Sequence, residues 1–402
     1  MKKIAIIGSG ISGLSAAYFL KDQAQITLFE KKSRLGGHSR TIQLKNDMIV
    51  DTGFIVLNDR NYPNLLKLFS DINVEIEKTC MSFSVSMNGG ELEWAGGGFN
   101  QIFAQRKNIF SLSMWKGIFD ILKFNQKAYS FINSSITLGE LIEKMNLGVW
   151  FQNAYILPMG SAIWSCPPEK ILEFPASAFI NFFHNHGLLS LHNRPQWYTL
   201  KNKSIDYVQK LEKLILEKGR IVYNDSIHVT RKDQQAWILD EAFDEVIFAC
   251  HPEEILKMID ASILEKEVLS KFTRQKNIAY THSDVKQMPQ NTNCWSSWNY
   301  CVEQTHKNSG GCVTYWMNRL QNIRSALPVF VTLNPARPID KEKIHDVYEF
   351  YHPIFDQKAL EAQKEIKNIQ GENKFWFCGA YLRNGFHEDG IWSTVTMIEK
   401  MN

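Results

Sequence analysis

The sequence has no uninterrupted apolar run approaching the ~20 residues that a membrane-spanning helix needs. It has no C-x-x-C pair, its seven cysteines standing at 80, 166, 250, 294, 301, 312 and 378. An odd number without paired spacing argues against a zinc site or a disulfide framework. No metal is expected, and a reducing cytoplasm is the simplest location. Charge of one sign is scarce too: the net formal charge is +3 over 402 residues, which gives no reason to expect nucleic acid as a partner. Hydrophobic residues make up 44% and charged residues 22%, which excludes a disordered chain. What is plentiful is aromatic: 25 Phe, 13 Tyr and 11 Trp predict a core or cleft lined with rings.

The opening Met1-Lys2-Lys3 followed by Ile4-Ala5-Ile6-Ile7 has the look of an export signal. The glycines that follow, and a second strand-like run at Gln25-Ile26-Thr27-Leu28-Phe29, favour a buried first strand instead. Gly8-Ser9-Gly10-Ile11-Ser12-Gly13 then leads into a helix pattern through Leu14, Ala17, Tyr18 and Phe19. In such a fingerprint Gly8 makes the tight turn, Gly10 lets backbone approach a pyrophosphate, and Gly13 lets helix and strand pack closely. The helix N-terminus, at Ile11 and Ser12, offers N–H donors to phosphate. Glu30 ends the second strand, placed to accept hydrogen bonds from an adenosine ribose, with Lys31 beside it. The glycines alone are a weak signal; strand, turn, helix, strand and terminal acid in register are a strong one.

Arg34-Leu35-Gly36-Gly37-His38 follows, and then Asp51-Thr52-Gly53-Phe54. With these R-x-G-G and D-x-G motifs the sequence resembles the flavin-containing amine oxidase and phytoene-desaturase superfamily. The resemblance implies an α/β fold: a doubly wound FAD/NAD(P)-binding Rossmann-like sheet with an interleaved α+β substrate domain. It also implies non-covalently held FAD, with Arg34, Gly36, Gly37, His38, Thr52, Gly53 and Phe54 along the cofactor. Ile227 is implied beside the adenine. Gly379 is implied at the closing strand, and Gly390 and Ile391 at the helix start that faces the flavin N1/O2 edge. Three positions depart from the superfamily's habit. His38 stands where an Arg often follows the paired glycines, so that Arg40 is a candidate substitute. Ala380 stands where an acid often follows the strand glycine, and Asn202-Lys203 replaces a glycine pair before a helix.

The FAD domain is expected from residues 1–75, 198–268 and 366–402. The substrate domain is expected from 76–197 and 269–365, with helices over 99–195 and an antiparallel sheet over 272–333, and a cavity between the two domains with the flavin at its base. Residues 80–95 read as a hairpin turning at Gly89-Gly90, and Gly219–Val229 as two short strands. On the helix near 112–127, Leu112, Trp115, Phe119 and Leu122 form a stripe, with Lys116, Lys123 and Lys127 off it. The favoured reading is a cap-domain helix with a solvated basic face; the alternative is a peripheral contact with the inner membrane. His184, His186 and His192 lack a completing ligand and read as packed histidines. Tyr280, His282 and Asp284 share one strand face by period two and are the ionisable candidates for catalysis, against the alternative of an outer polar face. Superfamily amine oxidases often hold a Lys near the flavin, for which Lys276 and Lys286 are the nearest candidates.

Strings such as Ser297-Trp298-Asn299-Tyr300 and Gly385-Phe386-His387-Glu388-Asp389-Gly390 resemble a bacterial group of predicted NAD/FAD-binding amine-oxidase-like proteins. Genes of that group often lie beside cyclopropane-fatty-acid-synthase-like methyltransferases, which implies a lipid acyl substrate and a lipid methyltransferase as partner. The expected activity is hydride transfer from a hydrophobic substrate to flavin N5. The alternatives are amine oxidation, a non-redox flavin isomerisation, and an FAD-stabilised partner role.

Overall fold

The structure is a computed structural model that describes residues 1–45, 47–164, 167–190, 194–302 and 311–401. His192, singled out above, lies outside the described residues, as do Ser165 and Cys166.

Five short apolar segments form one parallel sheet in the spatial order 220–223, 24–30, 2–7, 245–248, 375–377. Ile7 lies level with Phe29 on one side and Phe248 on the other, so the carboxyl ends of the central strands share one edge. The strands are apolar without alternation because both faces are covered. On one face Ile4, Ile6, Ile26 and Leu28 pack against helices Ile11–Leu20, Pro63–Asp71, Lys203–Leu216 and His387–Met401. On the other, Ala5, Ile7, Phe29 and Phe248 meet helices Pro252–Met258, Ile263–Leu269 and Gln357–Glu365 and a three-stranded meander. That meander runs through Thr230–Lys232, Gln235–Ile238 and Glu241–Phe243. It was not foreseen: of the two strands expected over Gly219–Val229, Arg220–Tyr223 forms and Val229 makes only an isolated bridge to Ile259.

A second sheet of seven strands runs 344–353, 274–282, 330–333, 312–316, 298–302, 83–87, 92–95. It is wider than the expected 272–333, since the hairpin at 83–95 and the strand 344–353 both join it. It is also not purely antiparallel, because Trp298–Val302 pairs in parallel with Phe83–Met87. Its apolar face, including Val85, Ala279, Val313 and Val331, is packed by helices Leu112–Lys127, Leu138–Lys144, Leu157–Trp164 and Ala176–Asn185.

One expectation is overturned by this packing. The buried face of Leu112–Lys127 is Met114, Gly117, Asp120 and Phe124. Gly117 is needed there because a Cβ would fall 1.9 Å from the Trp150 ring. The stripe read as the buried one points outward: Leu112, Phe119 and Leu122 are exposed and Trp115 is half-buried. Spacing identifies a face; only the close backbone approach at Gly117 decides which face turns inward.

Candidate cofactor site

At the carboxyl edge of the parallel sheet the glycine turn is drawn in by its own chain. Gly8 N–H donates to Phe29 O (2.9 Å), and Gly8 takes φ +104°, a left-handed value that favours glycine. A Cβ on Gly13 would stand 1.8 Å from Gly8 O, so helix and strand can touch only without a side chain there. Gly10 differs. Its φ of −67° and ψ of −179° suit any residue, and a Cβ there would meet nothing within 4 Å. The fold requires Gly8 and Gly13; it does not require Gly10. The space above Gly10 is a cradle at the mouth of a helix N-terminus whose first N–H groups have no intrahelical acceptor.

Glu30 is buried and secures this turn: Oε2 accepts from Ser9 N–H (3.0 Å) and Ser9 Oγ (2.5 Å), and Oε1 from Lys32 N–H (2.8 Å). Oε1 keeps a lone pair for a ribose hydroxyl. Lys31 turns away to Glu254 (3.2 Å). Gly36 N–H donates to Ser9 O (2.9 Å), and Gly37, at φ +58°, lies so close that a Cβ would be 2.8 Å from Gly10 Cα. The R-x-G-G loop is thereby stacked on the glycine turn.

Arg34 does not present its guanidinium to an anion. It donates to the carbonyls of Leu35 (3.3 Å), Ser39 (3.0 Å) and Gly37 (2.9 Å) and to Tyr348 Oη (2.9 Å). Its role here is to shape the loop. Arg40 does not substitute at His38 either, being held bidentate by Asp346 (2.7 and 3.0 Å) with its guanidinium over the Tyr348 ring. His38 itself bonds Tyr351 O (3.0 Å) and stacks on Phe350 and His352. The anion-binding capacity of the turn therefore rests on backbone N–H groups and helix ends.

The D-x-G motif works through its first residue, which the motif alone left without a role. Asp51, wholly buried, accepts from Thr41 Oγ1 (2.5 Å), Ser204 N–H (2.9 Å) and Ser204 Oγ (2.7 Å). It ties the hairpin 40–53 to the start of helix Lys203–Leu216. Burial raises its carboxyl to about 6 against these hydrogen bonds. Thr52 shares its hydroxyl with Arg40 (3.2 Å), and Gly53 lies under His38 O, 2.0 Å from where a Cβ would be.

The terminal helix completes the edge. A Cβ on Gly390 would be 2.7 Å from Ile11 Cγ2 and 2.9 Å from Ser12 Oγ, and Thr394 Oγ1 donates to Ser12 O (3.0 Å). Two helix N-termini thus converge beside the cradle, with Ile391 fully buried between them. Gly379 N–H donates to Ser393 Oγ (2.9 Å), and Ile227 is buried near Ile7 and Phe29. Glu388 reaches across to cap helix Pro63–Asp71, accepting from Leu65 N–H (3.0 Å) and Asn64 Nδ2 (2.7 Å), a role no local spacing could reveal. His387 stacks on Phe54 with ring centres 3.6 Å apart and bonds Ser39 Oγ (2.9 Å) and Tyr207 Oη (3.1 Å). Phe386 packs on Phe182 and His186. Rings thus bridge the parallel sheet and the helices where an open cavity was expected. The residues that fit a diphosphate and ribose are in place, and at the ring end Phe54 and His387 would have to part.

The three catalytic candidates stand elsewhere. On strand Arg274–His282, Tyr280 shares its row with Ile278, opposite the exposed Val347 and Glu349 of the neighbouring strand; Asn277, Ala279 and Thr281 share the other row, opposite Phe350, Tyr348 and Asp346, of which Tyr348 and Asp346 hold Arg34 and Arg40. His282 is buried with Nε2 bonded to Thr332 Oγ1 (2.7 Å) and Nδ1 accepting from Asp284 N–H (3.1 Å). Asp284 caps a short turn, accepting from Lys286 N–H (3.2 Å) and Asp340 N–H (3.1 Å). His282 and Asp284 are thus held in structural hydrogen bonds, His282 on the same row as Tyr280 and Asp284 past the strand end. Lys276 is exposed and paired with Glu349, and Lys286 is exposed on that turn. On the inner row Thr281 Oγ1 is buried without a hydrogen-bond partner among the described residues, a polar atom that sequence reading passed over.

Burial holds several histidines neutral: His251, His352 and His387 down to about 3, His186 and His282 to about 4. A depressed histidine costs stability as pH falls below its unfolded value near 6.5, whereas Asp51 and Asp389, both raised to about 6, add stability over the window from 6 to 3.8. Five against two, the histidines win, at ~1.4 kcal/mol per pH unit for each net proton. We expect a urea midpoint that falls steeply from pH 6.5 to 5; a flat midpoint would contradict the buried neutral rings.

A parallel sheet with a glycine turn at its carboxyl edge and a buried acid one strand over defines a dinucleotide-binding Rossmann-like fold. A model of the NAD(P)-binding Rossmann-like domain matches residues 6–72. Coproporphyrinogen III oxidase of Staphylococcus aureus is 47% identical over 282 residues, covering 61% of this chain and 59% of its own. In structure the chain is similar to a CLA-producing fatty acid isomerase from P. acnes (TM-score 0.72, 15% identity, 99% of this chain and 98% of that one). It is also similar to cyclohexylamine oxidase from Brevibacterium oxydans (TM-score 0.69, 11% identity, 100% and 99%). The chain shares the fold of these two enzymes over nearly its whole length. It spans less than two thirds of the length of the curated relatives it matches. No described helix is long and apolar enough to cross a membrane.

Proposed function

We propose that this chain is an FAD-dependent oxidoreductase that removes a hydride from a hydrophobic substrate, a lipid acyl chain before any other. The observation that carries the reading is Gly10: a glycine that neither backbone geometry nor neighbouring atoms demand, at the mouth of a helix, one strand from a buried acid. Ile11, Ser12 and Gly13 would hold the diphosphate and Glu30 the ribose, while the first turn of the terminal helix His387–Met401, with Gly390 and Ile391, would face the flavin N1/O2 edge. Bound FAD would supply a two-electron acceptor at N5. The chain would supply orientation and exclusion of water through the rings around Phe54, Phe182 and Phe386. Attachment is non-covalent in this reading. Burial pushes Cys250 and Cys378, the thiols nearest the turn, up to about 12, so they stay protonated and poorly nucleophilic. In this reading the protein works in the cytoplasm with a lipid methyltransferase as its partner.

The fatty acid isomerase of the same fold favours a second reading, double-bond migration without net electron change. Amine oxidation loses support, because Lys276 and Lys286 both lie on outward positions. Anaerobic addition of bacterial lipid extract to the flavin-loaded protein separates the readings. Bleaching of the flavin bands is the expected result. Unchanged bands with shifted double bonds in the recovered lipid would replace oxidation by isomerisation. Unchanged bands and lipid, with hydrogen peroxide formed on an amine panel in air, would overturn both.

A further inference from the structure

The outward stripe of helix Leu112–Lys127 belongs to a larger surface. Phe110 is 89% exposed, Leu112 87% and Phe119 63%, and Phe99 and Val149 are exposed beside them. The exposed rings are anchored from beneath: Phe99 packs on the buried Phe103 (4.7 Å between centres), Phe103 on the half-buried Trp115 (5.0 Å) and Trp115 on Phe119 (6.5 Å). Large rings left in water cost free energy, and contiguous apolar patches of this kind mark contact surfaces. Charge says which contact. From Gly96 to Thr137 there are five basic residues, Arg106, Lys107, Lys116, Lys123 and Lys127, and one acid. That acid, Asp120, is turned inward, where it accepts from Gly148 N–H (2.9 Å). Lys123 is turned to the carbonyl of Met145, while Arg106, Lys107, Lys116 and Lys127 stay exposed around the rings. On the helix the exposed Lys116 follows Leu112 by four residues, so an apolar and a cationic group share the outer face.

We infer that this helical face is a docking surface for an anionic lipid bilayer, its rings entering the acyl boundary and its lysines meeting the headgroups. The surface is independent of the cofactor, and the same helices cover the apolar face of the seven-stranded sheet. A docked protein would thus press the cover of that core against the lipid.

The test is sedimentation of the full chain with vesicles of phosphatidylcholine alone and of phosphatidylcholine with phosphatidylglycerol. Binding is expected at least tenfold tighter to the phosphatidylglycerol vesicles and weakened by salt. The combined change Phe110→Ser, Leu112→Ser and Phe119→Ser should weaken it at least tenfold, and Lys107→Glu with Lys116→Glu and Lys127→Glu should abolish the preference. All six side chains are exposed, so the variants should keep the wild-type circular dichroism. Equal binding by the ring variant, or no binding to either vesicle, would overturn the inference. So would a wild-type dimer in light scattering that the ring variant makes monomeric, since a second copy would then be the occupant.

Discussion

Gly10→Glu should abolish flavin retention and leave the protein folded. The substitution meets no steric objection from the chain, since Gly10 has an ordinary extended backbone and open space at its Cβ. What it adds is a carboxylate in the cradle where a diphosphate would lie. Two like unit charges ~4 Å apart at an effective dielectric of ~20 repel by about 4 kcal/mol, roughly a thousandfold in affinity. Titration with FAD, followed by quenching of its fluorescence, should show that loss, with a urea midpoint of the apoprotein within ~0.5 kcal/mol of wild type. Gly13→Ala should behave in the opposite way, because its Cβ would stand 1.8 Å from Gly8 O and the helix cannot sit on the strand. Retained FAD affinity in Gly10→Glu would mean that the cradle is not the binding site.

Asp51→Ala should cost about 3–5 kcal/mol of stability, through lost hydrogen bonds rather than a clash. The substitution removes the acceptor of Thr41 Oγ1, Ser204 N–H and Ser204 Oγ in a buried position. It also releases the start of helix Lys203–Leu216 from the hairpin that carries Thr52, Gly53 and Phe54. Asp51→Asn should recover only part of the loss, since its amide nitrogen cannot accept from Ser204. Because burial raises the Asp51 carboxyl to about 6, its protonation favours the folded state as pH falls from 6 towards 3.8, and removing it should shrink that gain. Urea unfolding at pH 7 and pH 5 checks both points; a loss under 1 kcal/mol at pH 7 would contradict the role assigned to Asp51.

How much the sequence disclosed depended on how local the signal was. Strand, glycine turn, helix and Glu30 lie within thirty residues, and the structure sets them in that order with Glu30 bonded back to Ser9. The parallel sheet was legible because its strands are short apolar runs without alternation. The seven-stranded sheet was only half legible: the ring-rich strands announced themselves, but their joining to Phe83–Met87 in parallel depends on pairings more than two hundred residues apart. The resemblance implies Arg34 along the cofactor, but the four acceptors that occupy its guanidinium lie in the loop's fold and on Tyr348, beyond the reach of the motif. Period two groups Tyr280 and His282 on one row of strand Arg274–His282 but fails for Asp284, which lies past the strand end and caps a turn, and it cannot say which row faces the R-x-G-G loop. Strand Ile344–Pro353, whose exposed Val347 and Glu349 flank that row, settles the side. The same ambiguity misplaced the stripe on helix Leu112–Lys127, where Gly117 against Trp150 turns the other face inward.

The visible spectrum of the full chain, purified and then incubated with FAD and desalted, tests the central claim most directly. The account predicts the two absorption bands of oxidised flavin, retained through desalting and released as free FAD on denaturation. A protein that stays colourless after FAD is offered would contradict it.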